Sequence, residues 1–160
     1  MLNVNSRVRF EELKIRNSRK KLIEDPTVIE PSLANCNVGD IRLDFLKVER
    51  IASEHIVVEG KADGGRVYDR QCYNEFIAIG KRYLQEKGNS TFDFFLALPD
   101  GTGHEVSAEL EIILRALPKI YERYFQKPTG EYEDIIVVKP DYSAGLYFTV
   151  EEHRFFISAW

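Results

Sequence analysis

Two carboxylates and an ammonium group brought to one patch can hold a hard divalent cation and put it to use, and Asp44, Glu59 and Lys61 supply those groups. Glu59 and Lys61 are two residues apart, so on an extended strand their side chains share one face while Gly60 faces the other way. Carboxylates held close together repel unless a cation keeps both ionised, and oxygen ligands with partial hydration favour Mg2+ or Mn2+. Such an ion polarises a phosphodiester and generates hydroxide from bound water. Lys61 would orient or deprotonate that water, or neutralise developing charge. The chemistry implied is phosphodiester hydrolysis.

These groups meet only if the elements that carry them pair correctly. Asn37-Val38-Gly39-Asp40 is turn chemistry, and in the following run from Ile41 to Ile51 the apolar Ile41, Leu43 and Phe45 alternate with Arg42 and Asp44, which predicts a half-buried strand. A second strand is expected from His55 to Lys61 after a short turn at Ala52-Ser53-Glu54. The two make a β-hairpin whose antiparallel pairing brings Asp44 opposite Glu59, or one residue removed.

Beyond Gly64-Gly65, Asp69 is placed to N-cap a helix whose Cys72, Phe76, Ile79 and Tyr83, with Ile77 and Leu84, recur at helical spacing up to Gly88. Thr91 to Leu98 is almost continuously apolar between turn residues, which predicts a central strand. A long helix is expected from about His104 to Gln126, striped by Leu110, Ile113, Leu114, Leu117, Ile120, Tyr121 and Tyr124 and kinked or restarted near Pro118. The β pattern returns in Ile135 to Val138, Leu146 to Val150 and Arg154 to Ala159. At the other end, Ser6 to about Arg16 is expected to form a short helix, with extended chain after it broken by Pro26 and Pro31.

In these quoted runs, Gly39-Asp40-Ile41-Arg42-Leu43-Asp44-Phe45-Leu46 and Ile56-Val57-Val58-Glu59-Gly60-Lys61 resemble the strand ending in the first metal-binding aspartate and the (D/E)xK strand of the PD-(D/E)xK nuclease superfamily. The resemblance covers roughly Gly39 to Pro99, although no Pro-Asp pair precedes Asp44. It implies an α/β, restriction-endonuclease-like fold: a mixed central sheet, flanking helices and an additional C-terminal β-hairpin region. It also implies a metal-dependent nuclease. Asp44 and Glu59 would be metal ligands, the Gly60 carbonyl a third, and Lys61 the catalytic lysine. Glu12 or Glu11 on the first helix and Gln71 on the next would assist. The partner would be nucleic acid, DNA ahead of RNA, with a homodimer or a protein partner left open.

Composition bounds these expectations. At 160 residues, 44% hydrophobic and 30% charged, the chain suits one globular domain spanning residues 1–160 and is too apolar for disorder. No run approaches the roughly 20 apolar residues of a membrane span, and the N-terminus lacks the apolar region of a secretory signal, so a cytoplasmic location is expected. Cys36 and Cys72 lack metal-ligand spacing and are expected to be reduced thiols, Cys72 as a small core residue rather than a nucleophile partnered by His104 or His153. His104-Glu105 lacks the second histidine of a zinc helix.

The net charge is −4, yet seven of the nine charged residues between Arg7 and Lys21 are basic. That surplus fits either a phosphate-contacting face or a solvated helix face. Tyr142, Tyr147, Phe155 and Trp160 alternate in a way that fits half core or an interface. Against the nuclease stands a non-enzymatic alternative, a small acidic binding protein of the immunity or inhibitor type whose carboxylates meet a basic protein partner. A Glu-x-Lys triplet is common, and a second copy occurs at Glu12-Leu13-Lys14. Glu59 and Lys61 could equally form a solvated strand face.

Overall fold

The computed structural model describes residues 13, 17, 37–61, 70–97, 103–124, 134–151 and 153–160. In chain order these form β1 (Asn37–Gly39), α1 (Phe45–Ser53), β2 (Ile56–Lys61), α2 (Arg70–Lys87), β3 (Thr91–Ala97), β4 (Gly103–Glu109), α3 (Leu110–Tyr124), β5 (Ile135–Val138), β6 (Gly145–Glu151) and β7 (Arg154–Ala159). The seven strands make one sheet in the order β1-β4-β3-β5-β6-β7-β2. The α/β class is as expected, but the mixed sheet is not: every pairing among these strands is antiparallel.

β5 lies in the middle, and its four residues Ile-Ile-Val-Val are all buried because both faces of the sheet are covered there. Ile135 and Val137 join the larger core, in which Phe76 and Ile79 of α2 and Ile113 and Leu117 of α3 pack on Phe92, Phe94, Phe148 and Ile157. Ile136 and Val138 face a smaller core with Leu43, Val48, Ala52 and Tyr147. Two helices thus cover one face of the sheet, and α1 lies on the other.

The segment expected to be the first strand of a hairpin is helical from Phe45 onward. Its period-two alternation covers only five residues, Ile41 to Phe45. From there Val48 and Ala52, four residues apart, are the positions that become buried, which is helical spacing. Asp44 starts the helix: its backbone is extended and its Oδ1 accepts the Lys47 N–H at 3.1 Å. Aspartate favours this role because it satisfies an N–H that the first helical turn leaves without a partner. β2 therefore has no hairpin partner in residues 41–51 and pairs with β7 at the sheet edge.

The second correction concerns the helix expected from His104. Residues 103–109 form β4, which pairs with β3 through Phe94↔Val106 and Phe92↔Ala108, and the helix begins only at Leu110. It continues through Pro118 without a restart. The helix expected to end at Gly88 does so: Gly88 takes a positive φ of 81° and donates its N–H to Leu84 O at 2.9 Å. The strand at 91–97 and the three C-terminal strands also lie where expected. Tyr147 and Phe155 are core residues, with Tyr142 and Trp160 partly buried. No described helix is long and apolar enough to cross a membrane. The N-terminal basic cluster, Asp69 and the predicted helix from Ser6 fall outside the described residues, apart from Leu13 and Asn17, both helical and exposed.

Candidate functional site

Cross-strand partners share a face of a sheet, so the register shows which polar side chains stand beside α1. On β3 and β4 these are Asp93, paired with Ser107 and with Val138, and Glu105. At the other edge they are Glu59 opposite Phe156 and Lys61 opposite Arg154, with Ile56 opposite Ser158. A bulge between Ile56 and Val58 lets Ile56 and Glu59 share that face. Gly60 points to the opposite face, where the Phe155 ring lies 2.2 Å from the position a Cβ would take.

Seven strands span about 29 Å at their usual spacing. A helix of nine residues is about 14 Å long and cannot cover that width. Among the described residues a cleft lies on each side of α1. The first, of about 300 Å³, lies between the lead-in to α1 and strands β3 and β4; Asp40, Arg42, Asp93, Glu105, Ser107 and Lys139 contribute its polar wall. The second, of about 420 Å³, lies between the C-terminal half of α1 and the strands β6, β7 and β2, with Glu49, Glu151 and Asp134, just before β5, around Tyr147, Phe156 and Ser158.

In the first cleft both buried carboxylates are partnered. Ser107 Oγ donates to Asp93 Oδ1 at 2.5 Å, and the Arg42 backbone N–H donates to Glu105 Oε2 at 2.8 Å. Asp93 and Glu105 are 9% and 7% exposed, so the network holds the lead-in of α1 against β4. Asp93 does not figure among the sequence candidates, and Glu105 does so only in the zinc-helix pattern that is set aside. Asp93 hides in an apolar run, and Glu105 falls in the stretch from His104 whose pattern predicts a helix. The alternation of Val106 and Ala108 with Glu105 and Ser107 was the signal for a strand there.

In the second cleft the Tyr147 hydroxyl donates to Asp134 Oδ2 at 2.7 Å. Burial, then the hydrogen bond to Asp134 and its charge, push the Tyr147 phenol far above its ordinary value, and it stays neutral.

The turn between β5 and β6 anchors α1. Tyr142 has a positive φ of 61°, uncommon for a large side chain, and several contacts hold it there. Its hydroxyl accepts the Asp44 N–H at 2.9 Å, its carbonyl accepts Trp160 Nε1 at 3.0 Å, and Lys47 Nζ lies 4.2 Å from its ring centroid. Asp141 next to it accepts from Ser143 Oγ and the Ser143 N–H, which lowers its pKa.

Against this geometry the sequence candidates separate. Asp44 caps α1, and Glu59 Oε1 accepts Arg154 Nη1 at 2.8 Å. Lys61 is exposed beside Glu59 at the end of β2. Gln71 lies in the first turn of α2, and Glu12 and Glu11 lie outside the described residues. Among the described residues no group of three or more His, Cys, Asp or Glu side chains is arranged to hold a metal ion. The Asp44, Glu59 and Gly60 set does not fit Mg2+ or Mn2+, because the hairpin that would bring Asp44 to Glu59 is replaced by a helix cap and a β2–β7 pair.

More of the α1 side is open to solvent. Ile41, Phe45 and Leu46 at its head are 40%, 39% and 78% exposed, and the Phe45 ring meets Phe95 edge to face at 5.0 Å. No protein-family model, curated protein or solved structure matches this chain.

Proposed function

We propose that the chain is a non-catalytic binding module that docks a protein partner with a basic surface on the α1 side of its sheet. The observation that carries this is the head of α1: Ile41, Phe45 and Leu46, close together along the chain, stand exposed, with a polar cleft holding Asp40, Arg42 and Lys139 on one side of the helix and a cleft lined by Glu49, Asp134 and Glu151 on the other. An apolar centre with a charged surround is the anatomy of a protein interface, and carboxylates at its sides favour a cationic partner and exclude an acidic one. The side chain of Leu46 is the natural anchor, since a single exposed leucine is ordinary but three clustered apolar residues are less so.

A restriction-endonuclease-like nuclease is the competing proposal. Glu59 and Lys61 flank Gly60 as it requires, but Asp44 is engaged in capping and Glu59 in an ion pair. The two are separated by a pair of experiments. Partners captured by the wild-type chain are identified, purified and titrated against wild type and Leu46→Asp by calorimetry. The module binds one of them directly, more weakly as salt rises, and Leu46→Asp loses at least about tenfold in affinity, or 1.4 kcal/mol. In parallel, plasmid and single-stranded nucleic acid are incubated with the chain and Mg2+ or Mn2+. Metal-dependent cutting that disappears in Glu59→Gln and in Lys61→Ala would overturn the binding module and establish the nuclease.

A further inference from the structure

We infer that β2 pairs edge to edge with β2 of a second copy of this chain, antiparallel about a two-fold axis at Gly60, so that Glu59 stands opposite Lys61 of the partner subunit. The inference is independent of docking on the α1 side. It starts from the end of the sheet: β2 closes the strand order, and among the described residues β7 is its one strand partner. Alternate backbone N–H and C=O groups of such a strand point away from its neighbour and are open to a further strand. The other edge, β1, offers these groups over only three residues, whereas β2 has six. The side chains of β2 also stand in solvent: Ile56 and Val57 are 46% and 52% exposed, and Glu59 and Lys61 are exposed as well. The bulge lies between Ile56 and Val58, so the regular part of the edge runs from Val58 to Lys61.

Charge selects the occupant. Lys61 lies opposite Arg154 in the β2–β7 register, a like-charge pair that is unfavourable at cross-strand distance. Arg154 escapes it by turning to Glu59, whose Oε1 it meets at 2.8 Å. Lys61 is left exposed, with no ion pair or hydrogen bond among the described residues. What this edge lacks is therefore an acid on its outer side, opposite Lys61.

A second β2 supplies that acid. In an antiparallel pair centred on Gly60, position 59 of one copy faces position 61 of the other, so Glu59-Gly60-Lys61 is complementary to itself and forms two identical Glu–Lys contacts. Directly opposite Cβ atoms lie about 5 Å apart, within reach for each carboxylate to meet the facing ammonium. Centring the pair on Glu59 or on Lys61 would put like charges face to face. Gly60 on the axis brings neither charge nor bulk to the point where the copies meet themselves. The axis is normal to the sheet, so the sheet continues through the junction and both α1 helices lie on one face.

The test is sedimentation equilibrium of the full chain, of two single charge reversals, of their mixture and of the double reversal. The wild type forms a dimer with a Kd on the order of 10 to 100 µM, as befits a small interface. Glu59→Lys and Lys61→Glu each set like charges at both contacts and weaken dimerisation by at least about tenfold. An equimolar mixture of the two restores opposite charges at both contacts and recovers a heterodimer of near wild-type affinity, as the double variant Glu59→Lys/Lys61→Glu does for a homodimer. Both side chains are exposed, so the variants keep their fold, which circular dichroism checks. A wild-type chain that stays monomeric up to about 300 µM would overturn the inference. So would a dimer indifferent to the reversals, or a mixture that associates no better than either variant alone. Glu59→Lys removes the Arg154 contact and Lys61→Glu does not, so a loss confined to the first would be an effect on β7 and would also overturn it.

Discussion

Arg154 Nη1 donates to Glu59 Oε1 at 2.8 Å across the β7–β2 pair, and the two side chains are 67% and 50% exposed. The glutamate that looked most like a metal ligand is thus answered by a cation of the neighbouring strand. Exposed pairs of this kind contribute about 0 to 1 kcal/mol because water screens them and both side chains lose rotamer freedom. Glu59→Gln and Arg154→Ala should therefore each lower the urea unfolding free energy by less than about 1 kcal/mol, with a coupling of the same size in the double-mutant cycle. A coupling several times larger would mean that the pair is sequestered from water.

Asp44 has a different job, and its substitution should show it. Replacing an N-cap aspartate by alanine costs about 1 kcal/mol, whereas serine restores an acceptor for the same N–H. Asp44→Ala should be destabilised by about that amount in metal-free buffer, with most of the loss recovered in Asp44→Ser. The comparison discriminates because a pure metal ligand would leave metal-free stability unchanged, or raise it by removing repulsion.

The two segments misread from the sequence fail for the same physical reason. Residues 41–45 alternate like a strand, but a window this short is also the lead-in and first residue of a helix, and Asp44 serves equally as a strand residue or a cap. The run from His104 to Glu109 joins a helical stripe that begins at Leu110, so the stripe extended backwards over β4. Where the pattern was long or bounded by strong punctuation, as in α2 before Gly88 or in β5 to β7, it predicted the element correctly. At the site, the local part was legible: Glu59 and Lys61 share a strand face. What placed Asp44 beside them was the choice of strand partner, and β2 pairs with β7, almost a hundred residues along the chain, through contacts that no local spacing encodes. The carboxylate clefts were hidden likewise, since Glu49, Asp134 and Glu151 come from three separated segments.

Gly60 offers a test of that edge pairing. A Cβ there would lie 2.2 Å from Phe155 Cε1, and Phe155 is itself buried against Phe148 with ring centroids 6.2 Å apart. Gly60→Ala should force the ring aside and destabilise the chain by about 1 to 3 kcal/mol, as overpacking of a formed core does. Gly60→Ala combined with Phe155→Leu should recover part of this loss in chemical denaturation. Additive losses would place Gly60 away from the ring.

Alkaline pH tests the Tyr147–Asp134 pair. In the unfolded chain this phenol titrates near its ordinary value of about 10. In the folded chain burial and the Asp134 carboxylate hold the proton to much higher pH. Because the folded pKa is raised, the stabilisation is fully present below about pH 10 and is lost as pH rises from there toward the folded value. Tyr147→Phe should be less stable than wild type at pH 7 by about 1 to 3 kcal/mol, since the half-buried Asp134 loses its donor. Above pH 10 the wild type should lose stability faster and the gap between the two should narrow, as urea midpoints across pH 7 to about 11 would record. Tyr83, also raised by burial, keeps some alkaline slope in the variant. Parallel curves for the two proteins would mean that Tyr147 ionises as readily folded as unfolded, and the hydrogen bond to Asp134 would then contribute little in solution.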